Sequence, residues 1–401
     1  MSKLQNKKDI RKAALIFAVT YMVSYITRIN YGAVISEMIK DTGFTKSALS
    51  LPLTLSCITY GAGQIVSGIC GDKFSPNRLV SYGLIVTTVM NLLIPLCANP
   101  YQMIGVWCIN GFAQSFMWPP LVKIMTSILS DEDYKKVTAK VTWGSSIGTI
   151  VIYLISPALI HLWGWKSVFI FSAICGLVML TVWNKNLYSV EGNNTSSGKT
   201  DREKFSIGTL ISVPFAGILL IIILQGMLRD GVTTWMPSYI AEMYNIDNAI
   251  SILTGVVLPI FGIVCIQIAL KLYLKVFKNP LVCAGAFFAV GTVASIALIF
   301  FSGNNAAFSV MFSALLTGCM HGANLMLTCM IPPLFAKQGT VSTVSGLLNS
   351  CTYIGSAAST YGIAVLSQRL GWGFTLSVWA VIAALGVILC ITIRSKLPKA
   401  T

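Results

Sequence analysis

Residues 13–35 read AALIFAVTYMVSYITRINYGAVI, twenty-three positions with a single formal charge, Arg28. A helix rises about 1.5 Å per residue, so such a run crosses the roughly 30 Å hydrocarbon core of a bilayer. It follows a charged start with Lys7, Lys8, Asp9, Arg11 and Lys12, and no cleavable signal peptide is evident. Working outward, eleven further apolar runs fall at 47–70, 79–98, 102–122, 137–160, 166–184, 207–228, 249–273, 280–301, 306–330, 340–366 and 373–393. The runs are continuous, whereas a β-barrel needs short alternating segments. The expected fold is an all-α membrane protein of 12 transmembrane helices.

Composition agrees. Of 401 residues, 55% are hydrophobic and 10% charged, and the mean hydropathy is +0.77. Soluble domains carry about 25% charged residues, so this chain cannot cover a water-facing surface and its solvent is largely lipid. The net charge of +15 would on a soluble protein suggest nucleic acid. Here the cations sit in short loops and read as topology signals, and no nucleic-acid partner is expected. With the N-terminus inside, 22 Lys and Arg fall in inner segments, among them Lys73, Arg78, Lys123, Lys135, Lys136 and Lys140. Four fall outside: Lys40, Lys46, Lys166 and Arg369. That bias places both termini in the cytoplasm, in a plasma (inner) membrane. Arg28 and Arg229 fit no loop.

None of the eleven cysteines forms a C-x-x-C pair and most lie within apolar runs, so they read as small packing residues without a metal or disulfide role. The long hydrophilic stretch 185–206, with Glu191, Gly192, Asn193 and Asn194, reads as a cytoplasmic linker between an N-terminal half, 1–184, and a C-terminal half, 207–401. On that reading Asn194-Thr195-Ser196 is no glycosylation cue. The halves repeat. Met117-Trp118-Pro119-Pro120-Leu121 returns as Met330-Ile331-Pro332-Pro333-Leu334. Ile147-Gly148 returns as Ile354-Gly355 and Gly164-Trp165 as Gly371-Trp372, both at an offset of 207. Arg28 and Arg229 lie in the first span of each half, at an offset of 201. Two six-helix bundles related by an axis along the membrane normal are expected, with a site near the midplane. The paired prolines kink their helices or mark helix ends.

An arginine near a span centre costs about 2.5–3.5 kcal/mol on insertion scales, so each needs a reason. Arg28 is expected two turns from the outer end of its span and Arg229 closer to its helix end, beside Asp230. The alternatives are snorkelling for Arg28 and a local surface ion pair for Arg229. The functional reading is a pair of guanidinium groups across a central cavity, since a planar guanidinium holds oxyanions bidentately. Tyr21, Tyr25 and Arg28 share one helix face. No Asp or Glu is expected in the middle of any span, which leaves the cavity positive and the substrate anionic. His321, beside Gly322 in span ten, is a candidate titrating group or a packing residue, and His161 at an outer loop is structural. Gly68-x-x-x-Asp72-Lys73, then Arg78, lies on the inner loop between spans two and three. There Asp72 can pair with basic groups or a helix N-terminus and latch one of two states, with Lys73 and Arg78 beside it.

These segments resemble the major facilitator superfamily, whose loop signature the stretch from Gly68 to Arg78 matches. More narrowly the chain resembles the organophosphate:phosphate antiporter family of glycerol-3-phosphate and hexose-6-phosphate carriers. The likeness rests on Tyr25-Ile26-Thr27-Arg28-Ile29-Asn30, Tyr60-Gly61 with Gly68 and Asp72, and Asn110-Gly111-Phe112-Ala113-Gln114 with Trp118-Pro119-Pro120. In the second half it rests on Leu228-Arg229-Asp230-Gly231 with Trp235-Met236-Pro237-Ser238-Tyr239, and on Tyr353-Ile354-Gly355. The resemblance implies that Arg28 and Arg229 hold a phosphate and that Tyr21, Tyr25, Tyr60 and Tyr353 line the cavity. It implies rocker-switch exchange of an organic phosphate for inorganic phosphate as counter-substrate. Two positions depart from the pattern: the cavity lysine of span two falls at Gln64 and the cavity histidine of span five at Ser145. These departures leave a sulfonate, phosphonate or sugar acid open as substrate.

Two other functions stay open. One is proton- or cation-coupled symport of a sugar acid, although such carriers usually place an acidic residue where this chain has Thr27. The other is a transporter-like membrane sensor of a sugar phosphate. An enzyme is not expected, because no nucleophile–base pair, metal cluster or phosphate loop occurs. No cofactor is expected, and the working expectation is a monomer.

Overall fold

Polar caps and prolines start the helices where the apolar runs begin. In the computed structural model, which describes residues 3–192, 213–246, 257–303, 305–336 and 338–396, α1 spans Lys7–Thr42. The Asn6 side chain accepts from the Lys8 N–H, and Gly43, at φ 71°, ends the helix in the left-handed region. Next come α2 (Lys46–Lys73), capped by Thr45, α3 (Pro76–Leu93) and α4 (Pro100–Gln114), capped by Asn99 with Pro100 in its first turn. They are followed by α5 (Trp118–Ile128), α6 (Asp131–Trp163) and α7 (Lys166–Gly192). Ser130 caps α6, whose first turn carries Asp131, Glu132 and Asp133 against the positive end of the helix dipole. The second half holds α8 (Val213–Tyr244), α9 (Val257–Lys275), α10 (Pro280–Phe301), α11 (Ala306–Asn324) and α12 (Val341–Ile393).

Twelve spans result. Ten stretches of the described helices are long and apolar enough to cross a bilayer. The fourth span is divided into α4 and α5, because the helix breaks just before Trp118-Pro119-Pro120. At the repeated place in the tenth span, α11 widens into a π-helical turn over Leu325–Met330 ahead of Pro332. A proline ring removes an N–H and crowds the preceding turn, so each pair distorts its helix at the same point. The α12 helix contains the eleventh and twelfth spans, separated at Gly371, whose φ of 77° breaks helical geometry. Large side chains such as Leu154, Val293 and Phe300 stay exposed on the spans, as lipid-facing surfaces require.

Among the boundaries that differ from the hydropathy reading, three stand out. The first helix continues beyond residue 35 to Thr42, with Lys40 paired to Glu37 at 2.7 Å on its surface. The helix of the seventh span, α8, continues beyond 228, through Arg229 and Asp230, to Tyr244. At about 3.6 residues per turn both arginines lie about four turns before their helix ends, well inside the positions the apolar runs implied. Charges ended the apolar runs, but charges that pair on a helix do not end the helix. Thus Asp230 is a carboxylate within a span, contrary to the expectation that none occurs there. The helix of the sixth span, α7, also runs into the expected linker as far as Gly192, and residues 193–206 of that linker lie outside the described residues.

The chain divides into two units, Met1–Lys204 with Phe335–Leu347, and Phe205–Leu334 with Leu348–Thr401. In the first, Gly148 of α6 packs against the Met22 carbonyl of α1, with an added Cβ only 3.0 Å from Tyr25 Cβ. In the second, Gly355 of α12 packs against the Ile223 carbonyl of α8, with an added Cβ 3.0 Å from the Met227 nitrogen. Met22 and Ile223 are themselves related by the offset of 201, so the repeat extends to the contacts. Lipid tails give helices no hydrophobic drive to associate, and small residues allow the close backbone approach that replaces it. A second matched contact closes the other end of each half. Trp165 Nε1 donates to Asp41 Oδ2 at 2.8 Å, and Trp372 Nε1 to Glu242 Oε2 at 2.7 Å. Each tryptophan follows a glycine of left-handed φ, Gly164 at 74° and Gly371 at 77°.

Candidate functional site

In the first unit the site grows from the α1 sequence Tyr21, Tyr25 and Arg28. The Arg28 guanidinium carbon lies 4.4 Å from the Tyr25 ring centroid and 4.5 Å from that of Tyr60 on α2. Cation–π attraction of this kind holds a guanidinium by its face. The stripe continues with Tyr21 edge-on to Tyr25 at 5.3 Å and against Trp118 at 4.8 Å.

Behind Arg28 lies a buried polar network that the sequence did not announce. The Thr27 carbonyl accepts from Asn91 Nδ2 at 3.0 Å and from Asn110 Nδ2 at 3.3 Å. Gln114 Nε2 donates at 2.7 Å to both the Thr27 and Thr87 hydroxyls, and Thr87 donates to Asn110 Oδ1. Asn30 Nδ2 donates to Asn91 Oδ1 at 2.6 Å and to Ser172 Oγ at 2.9 Å. These side chains, from α1, α3, α4 and α7, are essentially inaccessible. Buried polar groups that satisfy one another admit few alternative arrangements. The network therefore fixes the rotation of α1 at Thr27, and with it the direction in which Arg28, about 100° further round the helix, projects. Its signal was present in Asn110-x-x-x-Gln114, two amides one turn apart on an otherwise apolar helix.

Two other candidates of this unit sit differently. Gln64 is fully buried, with its backbone carbonyl against Gly346. Ser145 turns its hydroxyl back onto its own helix, donating to the Thr142 carbonyl at 2.7 Å.

In the second unit Arg229 binds its neighbour. Its Nε donates to Asp230 Oδ1 at 2.6 Å and a terminal nitrogen to Oδ2 at 2.8 Å. Ser356 lies on α12, one turn beyond the half-buried Tyr353. His321 lies on α11. Its ring packs on Gly262, and Nδ1 lies 2.9 Å from the Thr317 carbonyl. A carbonyl only accepts, so Nδ1 carries a proton. One turn before Arg229, Gln225 donates to the Met320 carbonyl at 3.0 Å. The two halves thus treat their arginines unequally. By the offset of 201, Tyr21 and Tyr25 become Ile222 and Gly226, and Ile29 becomes Asp230.

At the end of α2, Asp72 accepts from the Ser342 N–H at 3.1 Å and the Thr343 N–H at 2.7 Å, the first-turn amides of α12. Lys123 Nζ stands 3.1 Å from Asp72 Oδ1 and donates to the Gly339 carbonyl at 3.2 Å. Gly68, Gly71 and Gly346 leave no room for side chains where α2 meets this segment. A carboxylate on the free N–H groups of a helix start is a favourable arrangement in both hydrogen bonding and dipole. Lys73 and Arg78 are exposed. The basic partner is Lys123, which the loop count took for a topology charge and which lies instead in α5. His161 falls in the last turn of α6. Among the described residues no cluster of His, Cys, Asp or Glu could hold a metal ion.

The family model of the Major Facilitator Superfamily matches residues 17–360. The chain belongs to that superfamily. Among solved structures of the same fold, the proton:xylose symporter XylE superimposes with a TM-score of 0.79 over 98% of this chain and 97% of that one, at 12% identity. Curated relatives include a membrane sensor and carriers named for organic phosphates. The membrane sensor protein UhpC of Salmonella typhimurium is 22% identical over 95% of this chain and 91% of its own length. The glycerol-3-phosphate transporter of Bacillus subtilis is 22% identical over 93% and 89%. A probable hexose phosphate transport protein of Chlamydia trachomatis is 29% identical over 40% of this chain and 35% of that protein. This member of the superfamily is a multi-pass membrane protein related to sugar-phosphate and glycerol-3-phosphate transporters.

Proposed function

We propose that the protein is a secondary active transporter of the plasma membrane, with cytoplasmic termini, that exchanges a small organic phosphate for inorganic phosphate by alternating access. The observation that carries this reading is an arginine deep in the first span of each half, Arg28 in α1 and Arg229 in α8. An arginine within a span is unfavourable without an anion to pair with; Asp230 supplies one beside Arg229, and a bound substrate supplies one for both arginines. Arg28 and Arg229 are the anion ligands, and Tyr21, Tyr25, Tyr60 and Tyr353 supply the surrounding ring faces and hydroxyls. His321, Gln64 and Ser145 stand in the second rank of substrate contacts. The halves 1–184 and 207–401, joined through 185–206, exchange access, and Asp72 with Lys123 provides the inner latch. The related glycerol-3-phosphate and hexose phosphate carriers support phosphate as the shared group. The monomer suffices for this cycle.

The test is exchange in liposomes loaded with inorganic phosphate. Labelled phosphate should leave when glycerol 3-phosphate or a hexose phosphate is added outside. Arg28→Ala or Arg229→Ala should slow exchange at least about 30-fold, the equivalent of about 2 kcal/mol for a buried charge pair. Uptake that requires a pH gradient and ignores internal phosphate would replace exchange by symport, a reading favoured by the carboxylate of Asp230 within a span. Binding of a sugar phosphate without flux would replace it by sensing, a reading favoured by the full-length likeness to a membrane sensor.

A further inference from the structure

The ends of α1 and α6 and the start of α7 form a cavity of about 420 Å³, within the size range of small-ligand sites. Its walls carry two carboxylates, Glu37 and Asp41, two ammonium groups, Lys40 and Lys166, and the indoles of Trp163 and Trp165. Trp165 Nε1 fixes one oxygen of Asp41 at 2.8 Å, Lys40 Nζ lies 2.7 Å from Glu37 Oε1, and the Lys166 ammonium lies 5.7 Å from the Trp165 ring centroid. The internal repeat separates what the fold needs here from what it does not. By the offsets of 201 and 207, Asp41 and Trp165 return as Glu242 and Trp372, and the indole–carboxylate hydrogen bond returns with them. The other four do not return: Glu37, Lys40, Trp163 and Lys166 become Ser238, Ala241, Leu370 and Gly373. The second half builds the same corner without these charges, so packing does not account for them in the first.

We propose that this cavity binds the headgroup of a zwitterionic phospholipid, one carrying a phosphate and a primary ammonium, as in phosphatidylethanolamine. The formal charges of the four side chains cancel, so the cavity offers no net attraction to a free anionic substrate or to a metal cation. A headgroup that bears both signs gives each side chain an opposite partner: its ammonium takes Glu37 and Asp41, and its phosphate takes Lys40 and Lys166. Opening the Lys40–Glu37 pair then loses no ion pair, because both of its members gain a new one. A purely anionic headgroup, such as that of phosphatidylglycerol, can take Lys40 only by leaving Glu37 without a partner. The two headgroups therefore differ by the number of ion pairs left at the same side chains. The occupant is a lipid because the cavity lies at the ends of three spans, where tryptophans gather at headgroup depth. Trp163 lines the cavity and is still 70% exposed, and Leu162 beside it and Leu154, about two turns back along α6, are exposed as well. That apolar face gives acyl chains a surface to lie on below a bound headgroup.

The test is native mass spectrometry of the purified full-length protein, titrated with palmitoyl-oleoyl phosphatidylethanolamine, phosphatidylglycerol or phosphatidylcholine. In the wild type, phosphatidylethanolamine should bind at least about fivefold more tightly than phosphatidylglycerol, the ratio that one further exposed ion pair gives. Glu37→Gln combined with Asp41→Asn removes both negative charges and keeps an acceptor for Trp165. It should erase the preference, with phosphatidylglycerol binding at least as tightly as it does to the wild type. Lys166→Gln should weaken both lipids by about two- to fivefold, since both carry the phosphate. Glu37 is half-buried and Asp41 and Lys166 are exposed, so these variants should fold. Equal binding of the two lipids by the wild type overturns the proposal and requires no variant. An undiminished preference in the folded double variant overturns it equally. It also falls if phosphatidylcholine binds more tightly than phosphatidylethanolamine, because a quaternary ammonium has no N–H to give the carboxylates. Soluble glycerophosphoethanolamine binding as tightly as the lipid removes the bilayer as the source of the ligand, and the proposal with it.

Discussion

Replacing Asp72 by Asn keeps the size of the side chain and removes its charge from the start of α12. The carboxylate accepts two backbone N–H groups, from Ser342 and Thr343, and faces Lys123 Nζ at 3.1 Å. Its side chain is only 9% exposed, so water contributes little screening on its side of the contact. Hydrogen bonds to a charged group contribute about 1.5–3 kcal/mol and neutral ones about 0.5–1.5. Two bonds that become neutral therefore lose about 2 kcal/mol. The asparagine amide also cannot accept at both ends, so one N–H is left to find another partner. Lys123 is 21% exposed and loses its counter-charge at a further cost of about 1 kcal/mol or less. The total, about 2–3 kcal/mol, corresponds to roughly 30- to 150-fold in an opening equilibrium. Hydrogen exchange of the peptide spanning Ser342 and Thr343 reads that equilibrium directly. Asp72→Asn should speed exchange there by the same factor, and Lys123→Met, which leaves both amide bonds, by about tenfold at most. Exchange at Ser342 and Thr343 within about threefold of wild type in Asp72→Asn would refute the claim that this carboxylate holds the helix start.

Two further outcomes follow from packing and from the buried network. Gly148→Ala and Gly355→Ala each drive a Cβ into a neighbouring backbone carbonyl, whereas Gly105 in α4 has open space around the same position. Thermal unfolding in detergent should show the first two destabilised by about 1–3 kcal/mol and Gly105→Ala unchanged or slightly more stable; equal effects at all three would contradict the close helix contacts. Asn110→Leu leaves the Thr87 hydroxyl without its acceptor and takes one donor from the Thr27 carbonyl. It should lose about 2–5 kcal/mol of stability, from one or two buried unsatisfied groups. Its phosphate affinity should fall even in folded protein, because α1 is freed at the residue before Arg28; wild-type affinity would show that the network does not position Arg28.

Much of this molecule was legible before folding was considered. The first span could be read from residues 13–35 because lipid demands an apolar run of fixed length. Gly148 with Gly355 and Trp165 with Trp372 could be paired by offset because equal halves repeat their packing as well as their pattern. Asp72 could be expected to meet a basic group or a helix start, and it meets both. The misreadings share one cause. A run of hydropathy ends where a charge appears, so hydropathy closes the seventh span at residue 228 and leaves Asp230 outside its middle. Whether a charge ends a span depends on whether it finds a partner, and Arg229 supplies that partner one residue away. The same blindness assigned Lys123 to a loop and named Lys73 and Arg78 as the neighbours of Asp72.

The chain order of apolar runs, the caps, the repeat and the arginine in the first span of each half were properties of the sequence itself, because each depends on residues close together or on a comparison of the sequence with itself. The tertiary structure alone decided which polar groups meet. Thr27 is joined to Asn91, Asn110 and Gln114 across three helices, and Asp72 is joined to Lys123 and to the start of α12. Those choices rest on distances between residues far apart in the chain, and in a membrane interior, where each buried polar group must find its partner within the protein, they decide what the site can bind.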